Sequence, residues 1–383
     1  MAEESLGINS TCVHTGEAED KQHKGAVSPI YVSSSYAYEN VDVKRYPRYF
    51  NTPNQEGLSK KVAALEHKEA GMIFGSGMAA ISTTVLAFLK HGDHVIFQNA
   101  LYGGTVNFIH KEFSRFGIEY SFTDGLTKED FERALRPNTK MVYVETPSNP
   151  LLKITDLKMV GEFATKNQLI SLIDNTFASP IIQVPDDFGI DVVIHSATKY
   201  MGGHSDIAAG AVAASKEHID KIWSIAINLG GSLSDYTVWL LERSMKTMAL
   251  RVNAQCDNAM AMALYLDEHP LVEKVYYPGL ETHPDHHLAK QQMNKFGAIV
   301  SFELKEEFSA SEFFSALKLI KPSLSLAGVE STMLAPSKTS HSLLSAAERK
   351  EAGITDDLIR FSLGIEEVSD LIEDIEQAFK QIQ

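Results

Sequence analysis

The stretch Asp191-Val192-Val193-Ile194-His195-Ser196-Ala197-Thr198-Lys199-Tyr200-Met201-Gly202-Gly203 sets the reading of the whole chain. Its first part is apolar and β-branched, the composition of a buried strand. Small hydroxylated residues follow, and two glycines then break the chain. Lys199 therefore falls just past the carboxyl end of a strand, where open α/β sheets bind their ligands. Taken alone, a lysine is more often a solvated surface group. The surrounding chain decides between the two.

One strand-like segment upstream, Leu169–Ile173 runs into Asp174-Asn175-Thr176. An acid ending one buried strand and a lysine ending the next suit pyridoxal phosphate. That cofactor needs an amine for its Schiff base and a carboxylate to keep its ring nitrogen protonated. Asp174 would be costly at such a place without a cationic partner. Ser196 and Thr198 flank the lysine with hydroxyls suited to phosphate oxygens.

Around this pair, strand-like and helical segments alternate. His94–Phe97 precedes a helical pattern over 104–116, and Ile118–Phe122 is a short apolar stretch. Met141–Glu145 is followed by a helical pattern near 156–166, and that by Leu169–Ile173. Such alternation predicts a mainly parallel sheet covered by helices, an α/β fold. Past about residue 235 the character changes. One long helical pattern covers 235–268, and the strand-like segments Val275–Gly279, Ala298–Leu304 and Leu358–Leu363 lead to a helical end over 366–382. The chain of 383 residues is too long for one ordinary core. It divides into an arm over 1–55, with Pro29, Pro47 and Pro53 and no periodicity, a large domain over 56–235 and a smaller α+β domain over 236–383.

Composition excludes several classes. Net charge is −15 and basic residues nowhere cluster, which argues against nucleic-acid binding. No run approaches eighteen apolar residues, so no membrane partner is expected. The start, Met1-Ala2-Glu3-Glu4-Ser5, lacks the apolar core of a secretory signal. Cys12 and Cys256 stand far apart outside any Cys-x-x-Cys pattern and read as free thiols of a cytoplasmic chain. His283-Pro284-Asp285-His286-His287 has no second ligand cluster to complete a metal site and reads as a polar surface turn, with no metal.

Other segment ends carry suggestive residues, each with a plainer competitor. The turn Gly75-Ser76-Gly77-Met78 precedes an Ala-rich helical run whose first N–H groups would hold a phosphate, although such turns are often mere connectors. Tyr102 follows the strand over 94–97, where a ring can stack on a pyridine face and a phenol can move protons, or simply half-bury in a loop. Asn149, between Pro147 and Pro150, presents an amide to a cofactor or a carboxylate, or serves as a turn-former. Arg360 interrupts the apolar run Ile359–Leu363, which marks either an edge position or a planar clamp for the carboxylate of a small amino-acid substrate.

Ser76-Gly77-Met78, Leu101-Tyr102-Gly103-Gly104, Thr146–Pro150, Asp174-Asn175-Thr176-Phe177 and Ser196–His204, in this order, resemble the Cys/Met-metabolism family of PLP-dependent enzymes. That family holds cystathionine γ-synthases, cystathionine γ- and β-lyases, methionine γ-lyases and homoserine-ester sulfhydrylases. The likeness runs from about residue 7 to the end, through Tyr277-Pro278-Gly279-Leu280 and Arg360–Glu366. It implies an aspartate-aminotransferase-like (type I) fold and a homotetramer of two catalytic dimers. By motif, Lys199 is the Schiff-base lysine and proton shuttle, Asp174 pairs with the ring nitrogen, and Tyr102 stacks on the ring and assists proton transfer. Ser76, Gly77, Met78, Thr176, Ser196 and Thr198 belong to the cofactor's binding set. Asn149, Ser325 and Arg360 match the ligands of the substrate α-carboxylate. Tyr46-Pro47-Arg48 matches the family's Tyr-x-Arg, which reaches the phosphate from the neighbouring subunit.

The chain also departs from the pattern. Tyr49-Phe50-Asn51-Thr52-Pro53 replaces the usual Ser-Gly-Asn-Pro-Thr, so two bulky rings are expected at the substrate entrance. Leu324 stands where cystathionine γ-synthases and γ-lyases carry Glu, and Asn107 where they tend to have Arg. Gly104 stands where methionine γ-lyase usually has Cys. These positions favour a C–S lyase acting on a sulfur amino acid by α,γ- or α,β-elimination. A γ-replacement synthase or sulfhydrylase is the alternative, and an aminotransferase or a non-catalytic cofactor-binding protein a remote one.

Overall fold

The computed structural model describes residues 6–339, 349 and 353–383; the acidic start Met1–Ser5 lies outside them. Seven strands form the first sheet: β1 Ala70–Phe74, β2 His94–Gln98, β3 Glu119–Thr123, β4 Thr139–Glu145, β5 Ile170–Asp174, β6 Val192–His195 and β7 Gly210–Ala214. Their order is β1-β7-β6-β5-β4-β2-β3. Successive side chains on a strand face opposite ways. Val95, Phe97, Met141, Tyr143, Leu172 and Ile194 thus enter one apolar cluster, while Ile96, Val142, Val144, Ile173 and Val193 enter another. Burial of both faces is why these strands read as near-continuous apolar runs.

Pairing is parallel from β3 through β2, β4 and β5 to β6, whereas β7 runs antiparallel to both β6 and β1. Every strand but β7 therefore points its carboxyl end at the same edge. The sequence reading had no strand at β1 or β7. Gly71 and the small run Gly-Ala-Val-Ala-Ala of β7 have low intrinsic strand preference, and pairing with neighbours supplies what propensity does not.

The second sheet holds β8 Val272–Tyr276, β9 Ile299–Leu304, β10 Lys321–Pro322, β11 Thr332–Leu334 and β12 Leu358–Ser362, in the order β10-β11-β12-β9-β8. Arg360 lies on β12, paired on one side with β11 and on the other with β9, so it is interior and not at an edge. The pattern over 235–268 is two helices, Asp235–Met245 and Met248–Asp267. From the first turn of the second helix the buried Arg251 donates to Ser244 O at 2.9 Å, a carbonyl in the last turn of the first.

The arm is less bare than its sequence suggests. Ile8–His14 forms a short helix α1 with Cys12 fully buried, and Lys61 Nζ donates to Cys12 O at 2.5 Å, satisfying a carbonyl at the helix end. Helix α2, Pro53–Leu65, opens with a capping box in which Thr52 and Gln55 bond each other's backbone N–H. Phe50 is buried against Phe74, ring centroids 5.3 Å apart, so it belongs to the core and not to an entrance. The polar turn expected over 283–287 is present, with Pro284 and His287 exposed, but His283 is buried within it, its Nδ1 accepting the Asp285 N–H at 3.1 Å. Both cysteines are buried free thiols. Among the described residues no helix is long and apolar enough to cross a membrane.

The loop after Lys199 is the tightest part of the fold. Gly203 N–H donates to Lys199 O at 2.7 Å, and Arg251 donates to Tyr200 O at 3.0 Å. Gly203 has φ +67°, and a Cβ there would lie 1.7 Å from Arg251 Nη1. Gly203→Ala is expected to cost about 2–4 kcal/mol, combining left-handed strain with overpacking. A fall in the urea midpoint measures it; an unchanged midpoint refutes this placement.

Candidate active site

Strand ends at the common edge bring the residues together. Lys199 follows β6, and its Nζ donates to Ser325 Oγ at 2.8 Å. Burial, with the Arg360 charge adding to it and Asp174 opposing, lowers the Lys199 amine to about 8. Ser325 sits in a loop with φ +77°, and Ala327 in the same loop with φ +64°. Both are conformations that side chains disfavour and that the surroundings must hold. Arg360 supplies part of that hold, its Nη2 donating to Ser325 O at 2.9 Å. Its Nη1 donates to Asn149 Oδ1 at 3.1 Å, and Ala327 N–H is held by Ser362 Oγ at 2.7 Å.

Arg360 is 4% exposed and burial lowers it to about 10. Its Nε is buried without a hydrogen-bond partner. A guanidinium in this state calls for an anion. Lys199, Ser325, Asn149 and Arg360 form one connected group drawn from both sheets.

Asp174 ends β5 and is buried. Burial raises its carboxyl, offset by the Thr176 N–H at 3.0 Å and by the His195 and Lys199 charges. Thr176 Oγ1 in turn accepts the Ser196 N–H at 2.8 Å, tying the segment after β5 to that after β6. Beneath them His195 Nε2 bonds Glu66 Oε1 at 2.5 Å, both residues buried.

Tyr102 stands just ahead of helix α4, Gly103–Phe116, with its side chain 47% exposed. Its N–H donates at 2.7 Å to Glu145 Oε2, the last residue of β4. Sequence reading placed Glu145 at a strand end and gave it no role, although an acid closing an apolar strand is the signal that singled out Asp174.

The β1 edge carries the phosphate candidates. Ser76 caps helix α3, Gly77–Phe88, its Oγ accepting the Ala79 N–H at 3.0 Å. The N–H groups of Gly77 and Met78 are ones that a helix leaves without an intrahelical acceptor. A Cβ on Gly77 would lie 2.8 Å from Ser196 Cβ, so only glycine lets the helix start approach the lysine segment. Thr198 Oγ1 exchanges hydrogen bonds with Ala209 N and O at 3.0 and 3.2 Å. No hydrogen bond among the described residues joins the side chain of Tyr46 or Arg48 to this group. Arg48 Nη1 donates to Ile227 O at 2.5 Å, and its guanidinium lies over the rings of Tyr46 and Tyr49.

The parts fit pyridoxal phosphate. A lysine with a lowered pKa, a buried carboxylate in want of a cation and a glycine-led helix start beside a serine match its aldehyde, ring nitrogen and phosphate.

The chain is similar to known proteins over nearly its whole length. The family described as Cys/Met metabolism PLP-dependent enzyme matches residues 9–380. A cystathionine gamma-lyase of Bacillus subtilis is 44% identical over 374 residues, 97% of this chain and 98% of the relative. An L-methionine gamma-lyase of Fusobacterium nucleatum is 40% identical, over the full length of both. The solved structure of cystathionine gamma-lyase from Lactobacillus plantarum, complexed with L-serine, superposes with a TM-score of 0.95 at 39% identity, covering 99% of this chain and 100% of that one. The chain belongs to the Cys/Met metabolism family of PLP-dependent enzymes and has the type I fold of that group.

Proposed function

We propose that this protein is a C–S lyase that eliminates the sulfur-bearing tail of an amino acid of the methionine, homocysteine or cystathionine type. Water completes the reaction to a thiol, a 2-oxo acid and ammonia. The observation that carries it is the connected group Lys199–Ser325–Arg360–Asn149. A buried fork with an unpaired Nε, beside an amine lowered to about 8, receives an α-amino acid by its carboxylate and presents its Cα–H to a base. Relatives named for cystathionine and methionine gamma-lyase activity support the same class.

The roles follow from the geometry. Arg360, Asn149 and Ser325 hold the carboxylate and restrict rotation about Cα. Burial lowers the Lys199 amine and so favours the neutral form that accepts the Cα proton. Pyridoxal phosphate, when bound, supplies the electron sink for the negative charge left at Cα. Asp174 keeps the ring nitrogen protonated, and Thr176 and His195 oppose the burial that raises its carboxyl. Ser76, Gly77, Met78, Ser196 and Thr198 hold the phosphate, and Tyr102 covers the ring and moves protons toward the leaving sulfur. Tyr46 and Arg48 reach a partner's phosphate in a homotetramer of two catalytic dimers. The two free thiols suit a reducing, cytoplasmic setting.

Lys199→Ala is expected to lower turnover by on the order of 10³ or more and to release the cofactor on dialysis. Visible absorption checks this. A dialysed variant that stays yellow, with borohydride fixing the cofactor to another lysine, contradicts the assignment.

Arg48→Ala and Lys199→Ala proteins, each inactive, are expected to regain part of the activity when mixed under subunit exchange, since some hybrid sites combine an intact arm with an intact lysine. Keto-acid release measures it. No recovery despite demonstrated exchange rules out the contact between subunits.

Leu324 is 68% exposed, one residue before Ser325. With no acid there and no arginine at 107, the pocket lacks the two charged partners that cystathionine γ-synthases and γ-lyases usually offer the distal half of cystathionine. Methionine or homocysteine is expected to surpass cystathionine in kcat/KM. Leu324→Glu with Asn107→Arg should shift that ratio toward cystathionine by about tenfold or more. Sulfide, thiol and keto-acid release across a substrate panel decides it, and a wild type that already prefers cystathionine overturns the preference for small tails.

A further inference from the structure

β2 leads to β3 on one side of the sheet, while β4 begins the run of strands on the other. The gap beyond the carboxyl ends of β2 and β4 is thus the switch point of the sheet, the place where its loops part and a ligand enters. Side-chain hydrogen bonds span it, among them the one from the N–H of Tyr102 in the loop after β2 to Glu145 Oε2 at the end of β4.

Little else fixes Tyr102 directly. Its carbonyl accepts the N–H groups of Thr105 and Val106 at 2.9 and 3.1 Å, which ties it to the start of α4 from behind. Its phenol makes no hydrogen bond among the described residues, and its ring lies over Gly104, where a Cβ would come within 2.4 Å of Cε1. Glu145 itself is well held. It is 4% exposed, and its N–H donates to Gln98 Oε1 at 3.3 Å. Gln98 Oε1 also accepts from Thr155 Oγ1 at 3.1 Å. The carboxyl is a fixed post at the end of a strand, and the loop that carries the tyrosine is tethered to it.

We infer that Glu145 is a positioning residue that sets Tyr102 over the cofactor ring by accepting its backbone N–H, an inference that rests on the reading of Tyr102 given above. Glu145 lies opposite Asp174 in the β4–β5 register, so two carboxyls share a dry space in which both do not readily ionise. Burial and the Asp174 charge raise the Glu145 carboxyl well above its ordinary value, against the pull of the Tyr102 N–H. Asp174 has the Thr176 N–H and the His195 and Lys199 charges on its side. The shift favours the protonated form of Glu145, whose Oε2 accepts the Tyr102 N–H without needing a charge. An amide supplies the same acceptor; a side chain one methylene shorter withdraws it.

The test compares holoenzymes carrying Glu145→Gln, Glu145→Asp, Glu145→Ala, Tyr102→Ala and the pair Glu145→Ala with Tyr102→Ala. Visible circular dichroism of the bound cofactor and kcat on the best sulfur amino acid are read together. Glu145→Gln is expected to stay within about threefold of wild type in kcat with an unchanged dichroic band, while Glu145→Ala falls about 10–100-fold and alters the band. Glu145→Asp should follow Glu145→Ala, and carries the comparison if the alanine variant does not fold. In the Tyr102→Ala background, Glu145→Ala should add less than about threefold, because the two act as a unit. Equal losses in both backgrounds, or a Gln variant as damaged as the alanine one, overturn the inference. Wild-type dichroism and turnover in Tyr102→Ala alone would sink the role of Tyr102 itself, and this inference with it. A wild-type Glu145→Ala beside a damaged Tyr102→Ala sinks only the role of Glu145.

Discussion

A guanidinium buried in the middle of a sheet is the constraint around which the site is built. Desolvating Arg360 costs several kcal/mol unless polar groups surround it. Asn149 comes from the first sheet's loops and the Ser325 carbonyl from the second sheet's, so the cation holds the two sheets' contributions in one place. It also holds the backbone of Ser325 in a conformation that the residue would not choose, and Ser325 in turn receives Lys199. The charge of Arg360 adds to the burial that lowers the lysine. Among the described residues, Arg360 Nε is the one donor of the fork that is buried without a partner.

The parallel strands contribute by ending together. Because β1, β2, β4, β5 and β6 point the same way, their last residues and following loops share one edge, and each can carry a different chemical group. The polar groups beneath that edge are paired through long side chains. Gln183 Nε2 meets Asn175 Oδ1, Asn175 Nδ2 meets Glu66, and Glu66 meets His195. Such a network is favourable only when nearly complete, and it makes the edge rigid where precise placement matters.

Much of this could be read from single strands. Apolar runs ended by chemistry, such as Ile194-His195 before Lys199 or Ile173 before Asp174, announce both the element and its purpose. Local signals were weaker where the fold uses small residues. β7 is a run of glycine, alanine and valine that becomes a strand because β1 and β6 flank it. The pattern over 235–268 is one continuous helical periodicity that tertiary contacts of Arg251 accompany into two helices. Phe50 looked like an entrance residue by position in its motif, and packing against Phe74 took it inside.

Composition, periodicity and the order of the motifs by themselves determined the fold class, the cofactor and which side chains could serve it, because each depends on residue type and on neighbours in sequence. Tertiary structure decided what depends on neighbours in space. It made Arg360 interior and not an edge arginine, gave Ser325 its strained backbone, set Glu145 opposite Asp174 and turned a strand-end glutamate into the acceptor for Tyr102. The reason is physical: the charge state of a group and the direction of a hydrogen bond are set by the dielectric and the partners around an atom, and those exist only after distant segments have met.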